Sequence, residues 1–287
     1  MNIKIKYIAT LLLIAPMLSI AGEQTSEMQP LSVKSLMLDV VNVDNKHLVA
    51  VGERGHILTS NTGDNWQQVV VPSQSTLTKV FFLNESLGWA VGHDSTILHS
   101  KDGGLTWLQQ NYQPEKQRPF FDILFSDKNN GIAVGAYGLF YRTSDGGTSW
   151  QEENHLELLN EDDRYYLEDL KLEDPEFYEE EIGSILPHFN SLKLIGNEIF
   201  LGGEVGLVAK SSDFGKSWTL LDEIYTGSFF DIETIADSIV IAGLRGNLFT
   251  SNDNGEQWQL IKTNTTALLN QVVKVNGKVI VLGNSGV

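Results

Sequence analysis

The 287-residue sequence contains no cysteine, which excludes disulfides, thiolate metal sites and a cysteine nucleophile. It is also poor in positive charge: 20 Lys and Arg stand against 37 Asp and Glu, a formal net charge of −17. Phosphate binding needs clustered cations, so nucleic acid is excluded as a partner. Arginine is scarcest, with only Arg54, Arg118, Arg142, Arg164 and Arg245. The six histidines show no paired ligand spacing, and neither a Gly-x-Ser-x-Gly elbow nor a Walker loop occurs. The sequence therefore implies no metal, no cofactor and no common nucleophile. Its long apolar run is confined to Ile8–Ile20, too short to span a bilayer comfortably. Lys4 and Lys6 precede that run and Ser19-x-Ala21 ends it, so residues 1–21 read as a signal peptide cut after Ala21. The expected location is the periplasm.

What is present is a repeat. Six segments align: AVGERGHILTSNTGDNW (Ala50 to Trp66), AVGHDSTILHSKDGGLTW (Ala90 to Trp107), AVGAYGLFYRTSDGGTSW (Ala133 to Trp150), LGGEVGLVAKSSDFGKSW (Leu201 to Trp218), IAGLRGNLFTSNDNGEQW (Ile241 to Trp258) and VLGNSGV (Val281 to Val287). The first glycine of each Gly-x-x-Gly turn falls at 52, 92, 135, 203, 243 and 283, and Ser95 replaces the second glycine in the second unit. Each unit resolves into four short strands parted by Gly-, Asn- or Asp-rich turns; in the second these are Thr78–Leu83, Gly88–Gly92, Ile97–Ser100 and Thr106–Gln109. Four strands at this period predict an all-β propeller, whose blades bury their faces only against one another. The last unit stops before its third strand, so the expectation is a truncated sequence from an intact protein of seven blades. Residues 22–34 are available to close its last blade and the propeller occupies 35–287.

Four of the units carry an Asp-box, with Asp102 and Trp107, Asp145 and Trp150, Asp213 and Trp218, and Asp253 and Trp258. A box so repeated is not a single active site. Its aspartate suits turn amides, its glycines positive φ, and its tryptophan a place beneath the turn.

Strand direction puts the boxes at one end of the propeller. The Gly-x-x-Gly turns and the blade-to-blade loops share the other, where Arg54, His93, Asp94, Arg118, Tyr137, Glu204 and Arg245 become the partner-binding candidates. That end also receives an insertion at about 151–187, between the third and fourth units. From Gln151 to Ile182 it holds fourteen acidic residues against Arg164 and Lys171. Asn160 reads as a helix cap and Asp174-Pro175 as a second helix start. The insertion is expected either as a solvated acidic excursion, or as a docking element for a basic surface or a lid over the channel.

The turns, the boxes and the Phe-Phe-Asp-Ile strands at Phe120–Ile123 and Phe229–Ile232 resemble the photosystem II assembly and stability factor family, from about Leu36 to Val287. The resemblance implies a seven-bladed propeller related to the Asp-box repeats of sialidases. In photosynthetic members it implies a lumenal factor that binds reaction-centre precursors through an arginine-rich patch. Here only Arg54, Arg118 and Arg245 occupy that end. For a bacterium without photosystems, the resemblance implies a non-catalytic helper of membrane-protein assembly or transport. The alternative is a sialidase-like glycosidase or carbohydrate-binding propeller, which would use those three arginines with Tyr137 and Glu204.

Overall fold

The computed structural model describes residues 25–44, 47–275, 277–284 and 286. The expected signal peptide and Ser285 of the sixth turn lie outside the described residues. Five four-stranded antiparallel sheets and a two-stranded sixth follow one another along the chain, each with its strands in sequence order. Blade 1 comprises Met37–Asn42, Leu48–Gly52, Ile57–Ser60 and Gln67–Val69. Blade 2 comprises Leu77–Phe82, Gly88–Gly92, Ile97–Ser100 and Leu108–Asn111. Blade 3 runs from Phe120–Phe125 to Gln151–Glu152, blade 4 from Phe189–Ile195 to Thr219–Leu220, and blade 5 from Phe229–Ile235 to Gln259–Ile261. Blade 6 is the hairpin Leu269–Val275 and Lys278–Gly283. The architecture is the all-β propeller expected. In blade 2 the fourth strand starts two residues later than expected, because Thr106 and Trp107 belong to the Asp-box turn.

The second strands Gly88–Gly92 and Gly131–Gly135 are buried along their whole length, as their apolar runs predict. Five apolar clusters lie between successive blades. Val49, Val51 and Ile57 of blade 1 meet Leu77, Ala90 and Leu98 of blade 2, and Trp107 packs into the same seam. Trp218 likewise sits between blades 3 and 4, and Trp258 between blades 4 and 5.

Inner strands are also joined edge to edge by side chains. Asp39 accepts from Val80 N at 3.0 Å, Asp122 from Leu192 N at 2.7 Å and Asp231 from Val272 N at 2.7 Å. These carboxylates come from blades 1, 3 and 5. In the intervening junctions Thr78 donates to Phe120 O at 2.6 Å and Asn190 to Phe229 O at 2.8 Å. Every junction from blade 1 to blade 6 thus has a side-chain staple, of two alternating kinds.

The N-terminal segment lies on the first blade: Ser26 N donates to Val71 O at 2.8 Å, and Gln68 Nε2 to Glu27 O at 2.8 Å. The insertion is more than a solvated excursion. It forms helices α1 (Glu161–Glu173) and α2 (Pro175–Glu181), capped as expected by Asn160 and Asp174. Leu158, Leu159, Leu167 and Leu186 are buried in the seam between blades 3 and 4. Leucines among the carboxylates supply an apolar stripe, which the charge count hid. Leu167 of α1 packs into that seam, with Leu170 and Tyr178 against it.

Candidate functional site

At the Asp-box end the geometry repeats. Asp102 accepts from Thr106 N at 2.9 Å, Thr106 Oγ1 at 2.6 Å and Ser100 Oγ at 2.9 Å. Asp145 takes the same three bonds from Ser149 and Thr143, and Asp213 from Ser217 and Ser211. Asp253 accepts from Gln257 N and Ser251 Oγ. Bonds from Ser149 N and Oγ hold the Asp145 carboxyl down at about 2. Trp107 and Trp258 donate to the box carbonyls of Gly104 and Gly255, whereas Trp150 and Trp218 pack without a partner for Nε1 among the described residues. The bonds cited for these aspartates all come from their own turns, which fits a scaffolding role.

The opposite end is built differently. The amides of Ser95, Gly138, Gly206 and Gly246 donate to Arg118 O, Pro187 O, Gly227 O and Ala267 O. This ties each turn to the connection leaving its blade, and puts turns and connections at one end as strand direction predicts. The first glycine is needed for close approach: a Cβ on Gly135 would lie 2.1 Å from Pro119 O. The residue at each tip is not glycine, yet has left-handed backbone: Arg54 (φ 57), Asp94 (φ 57), Tyr137 (φ 53), Val205 (φ 54) and Arg245 (φ 57). Such conformations are costly for ordinary residues and persist where the surroundings impose them. Arg54, Tyr137, Val205 and Arg245 are exposed at these tips, whereas Asp94 is half-buried.

Tyr137 packs edge-on against His188 with ring centroids 4.6 Å apart, and Phe121 lies tilted against the same imidazole at 5.7 Å. His188 Nδ1 sits 3.4 Å from Glu204 Oε1, and its backbone amide donates to Glu204 Oε2 at 3.3 Å. The structure therefore joins two candidates, Tyr137 and Glu204, through His188. Glu204 also has a structural share: Glu53, at the same turn position in blade 1, accepts the equivalent amide of Leu36 at 3.2 Å. Asp94 is held by Ser75 Oγ at 2.6 Å, and His93 is exposed beside it. Arg118 reaches toward the insertion, its Nη2 3.0 Å from where a Cβ of Gly183 would stand. Arg54 and Arg245 are exposed at the tips of blades 1 and 5. No hydrogen bond or ion pair among the described residues unites these three arginines.

The channel bounded by the inner strands holds charges not singled out in the sequence. Lys79 lies 3.7 Å from Asp39; burial opposes its charge, but Asp122, Asp39 and Asp231 outweigh that and raise its pKa. Burial raises Asp122, and it raises Asp231 to about 6 despite the Val272 amide and Lys79. Lys193 donates to Glu233 at 2.6 Å. Asp39, Asp122 and Asp231 are the blade staples, so the channel is an interlocked polar core. His188 and these channel residues escape sequence reasoning because their partners, 16 to 70 residues away, share no local pattern. The recurrent Asp in the Phe-Phe-Asp-Ile strands was the one usable signal.

A family model described as "Photosynthesis system II assembly factor YCF48" matches residues 19–107 and 61–121. A 44-residue stretch is 52% identical to the "Photosystem II assembly protein Ycf48" of Synechococcus sp. (strain JA-3-3Ab), covering 15% of this chain and only 13% of that relative. Among solved structures, the β-propeller domain of Cps50 (Swd1) from Myceliophteria thermophila superposes with TM-score 0.62 at 8% identity, over 88% of this chain and 80% of that one. The GH74 enzyme of Niastella koreensis does so with TM-score 0.54 at 14% identity, over 78% and 38%. A structure described as "YCF48 bound to D1 peptide" reaches TM-score 0.48 at 19% identity, over 88% and 91%.

Proposed function

We propose that this chain, a Ycf48-like β-propeller, is an exported, non-catalytic scaffold that captures a segment of a membrane protein on its turn face during assembly of a membrane complex. One observation carries the reading. The box face repeats one hydrogen-bond pattern that closes within each turn, while the turn face presents exposed Arg54, Tyr137, Val205 and Arg245 at left-handed tips, as recognition by loops on a rigid frame requires. The match to an assembly-factor model supports the same reading, and the N-terminal charged and apolar pattern supports export to the periplasm. In a cell without photosystems the client would be another membrane assembly or transport system.

The test is capture from detergent-solubilised membranes by the chain from residue 22 onward. A membrane protein should co-purify, and Arg54→Ala, Tyr137→Ala and Arg245→Ala should each weaken its recovery. If nothing membrane-embedded co-purifies, the scaffold reading falls.

A glycosidase is the second reading, favoured by the likeness in fold to a GH74 enzyme. Glycoside hydrolysis needs two free carboxyl groups flanking the bond, or an arginine-anchored tyrosine mechanism. Here the channel aspartates are engaged by backbone amides, and the turn-face arginines are not joined. Incubation with xyloglucan and with a fluorogenic sialoside decides it: turnover abolished by Arg54→Ala or Arg245→Ala would replace the scaffold with an enzyme.

A further inference from the structure

We infer that the insertion and blade 4 together form a docking groove for an apolar side chain of a partner peptide flanked by lysine or arginine. The inference rests on the scaffold reading and names the chemistry of the segment captured. A cavity of about 250 Å³ opens where the insertion meets the fourth turn. Its apolar wall comes from Leu159, Ile185 and Pro187 on the insertion side, and from Val205, Leu207 and Leu221 on the blade. Pockets that take drug-sized ligands run to roughly 300–1,000 Å³, so this one suits a single bulky side chain better than a cofactor.

The charge on the groove is of one sign. Asp163, Glu204 and Glu223 line it, and no lysine or arginine does. Asp163 is engaged by Asn160 and Glu204 by His188, but Glu223 is exposed and makes no hydrogen bond or ion pair among the described residues. Glu161 and Asp162 extend the negative field along the first turn of α1. An apolar floor beneath one-signed charge selects an apolar anchor with basic neighbours: burial holds the anchor, and the field steers and orients the flanks. Val205 stands at this groove, 70% exposed, in left-handed backbone that a β-branched residue adopts reluctantly. The groove exists only because the insertion does.

The experiment uses the chain from residue 22 onward and fluorescein-labelled twelve-residue peptides with a central leucine or phenylalanine between lysine pairs. Controls carry a central alanine or glutamate flanks. Fluorescence anisotropy should show the lysine-flanked apolar peptide binding at least tenfold more tightly than either control, with affinity falling as salt rises. Glu223→Lys should cost that peptide at least tenfold and shift preference toward the glutamate-flanked one. Val205→Gly removes the exposed apolar side chain while easing the backbone, so it should weaken binding with folding intact, verified by an unchanged thermal midpoint. The groove is overturned if the alanine-centred peptide binds equally well, if Glu223→Lys changes nothing, or if Glu223→Lys instead dissolves a dimer of this chain. Peptide binding that depends on Glu223, with no membrane protein captured, would uphold the groove and reject the assembly role. Capture untouched by Glu223→Lys would do the reverse.

Discussion

The two ends of this propeller are built from the same repeat and spend it in opposite ways. At the box end each variable position is subordinate to a fixed pattern of Ser or Thr, Asp and Gly whose bonds close locally. At the turn end the fixed glycines only bring the backbone close, and the residue between them is free to differ: Arg, Asp, Tyr, Val, Arg. Regularity marks the part that holds the blades together, and departure from regularity marks the end whose side chains vary from blade to blade.

The comparison breaks most severely at the box tryptophans. Trp107 is buried in the seam between blades 1 and 2, so Trp107→Ala should cost about 3–5 kcal/mol, read from the urea midpoint. An unchanged midpoint would remove the structural role assigned to the boxes.

The channel and the boxes should next respond to pH in opposite directions. Asp231 has a folded pKa raised to about 6, so its contribution is complete below the unfolded value near 3.8 and is lost as pH rises to 6. Asp231→Asn keeps an acceptor for Val272 N and removes the charge. It should gain roughly 2–3 kcal/mol relative to the native chain above pH 6, and nothing below pH 4. Asp145 runs the other way. Its depressed pKa of about 2 contributes stability above the unfolded value near 3.8 that disappears as pH falls through 2. Midpoints collected from pH 5 to pH 2 should therefore fall less steeply in Asp145→Asn than in the native chain.

The smallest effect belongs to the tips. Arg245→Gly relieves a left-handed residue but frees the unfolded chain, so stability should move by less than about 1 kcal/mol in calorimetry while client recovery drops. A large loss of stability there would make the tip a structural element like the boxes.

Much of this was legible in the sequence because backbone geometry demands particular residues. Gly135 cannot carry a Cβ against Pro119 O, and Asp145 must meet the amides of its own turn, so both recur at fixed intervals. Asn160 and Asp174 announced their helices for the same local reason. What did not show was anything assembled across blades. His188 gains its meaning only from Tyr137 and Glu204, which arrive from two other turns. The buried side of the insertion was concealed by fourteen carboxylates, although Leu158, Leu167 and Leu186 supply it. Arg142, counted only as one of five arginines, grips Glu153 at 2.6 Å and the carbonyls of Phe214 and Gly215, tying the root of the insertion to the next blade's box.

The alternating staples carry a consequence of parity. Blades 1, 3 and 5 present an apolar residue followed by aspartate (Leu38-Asp39, Phe121-Asp122, Phe230-Asp231), whereas blades 2, 4 and 6 present Thr78-Lys79, Asn190-Ser191 and Asn270-Gln271. The mechanical period is thus two blades, twice the sequence period. A two-colour pattern closes perfectly only on an even ring. On any ring of seven the alternation must break once, but each staple ends on a neighbour's backbone amide or carbonyl, so two blades of like kind can be joined by the same bond.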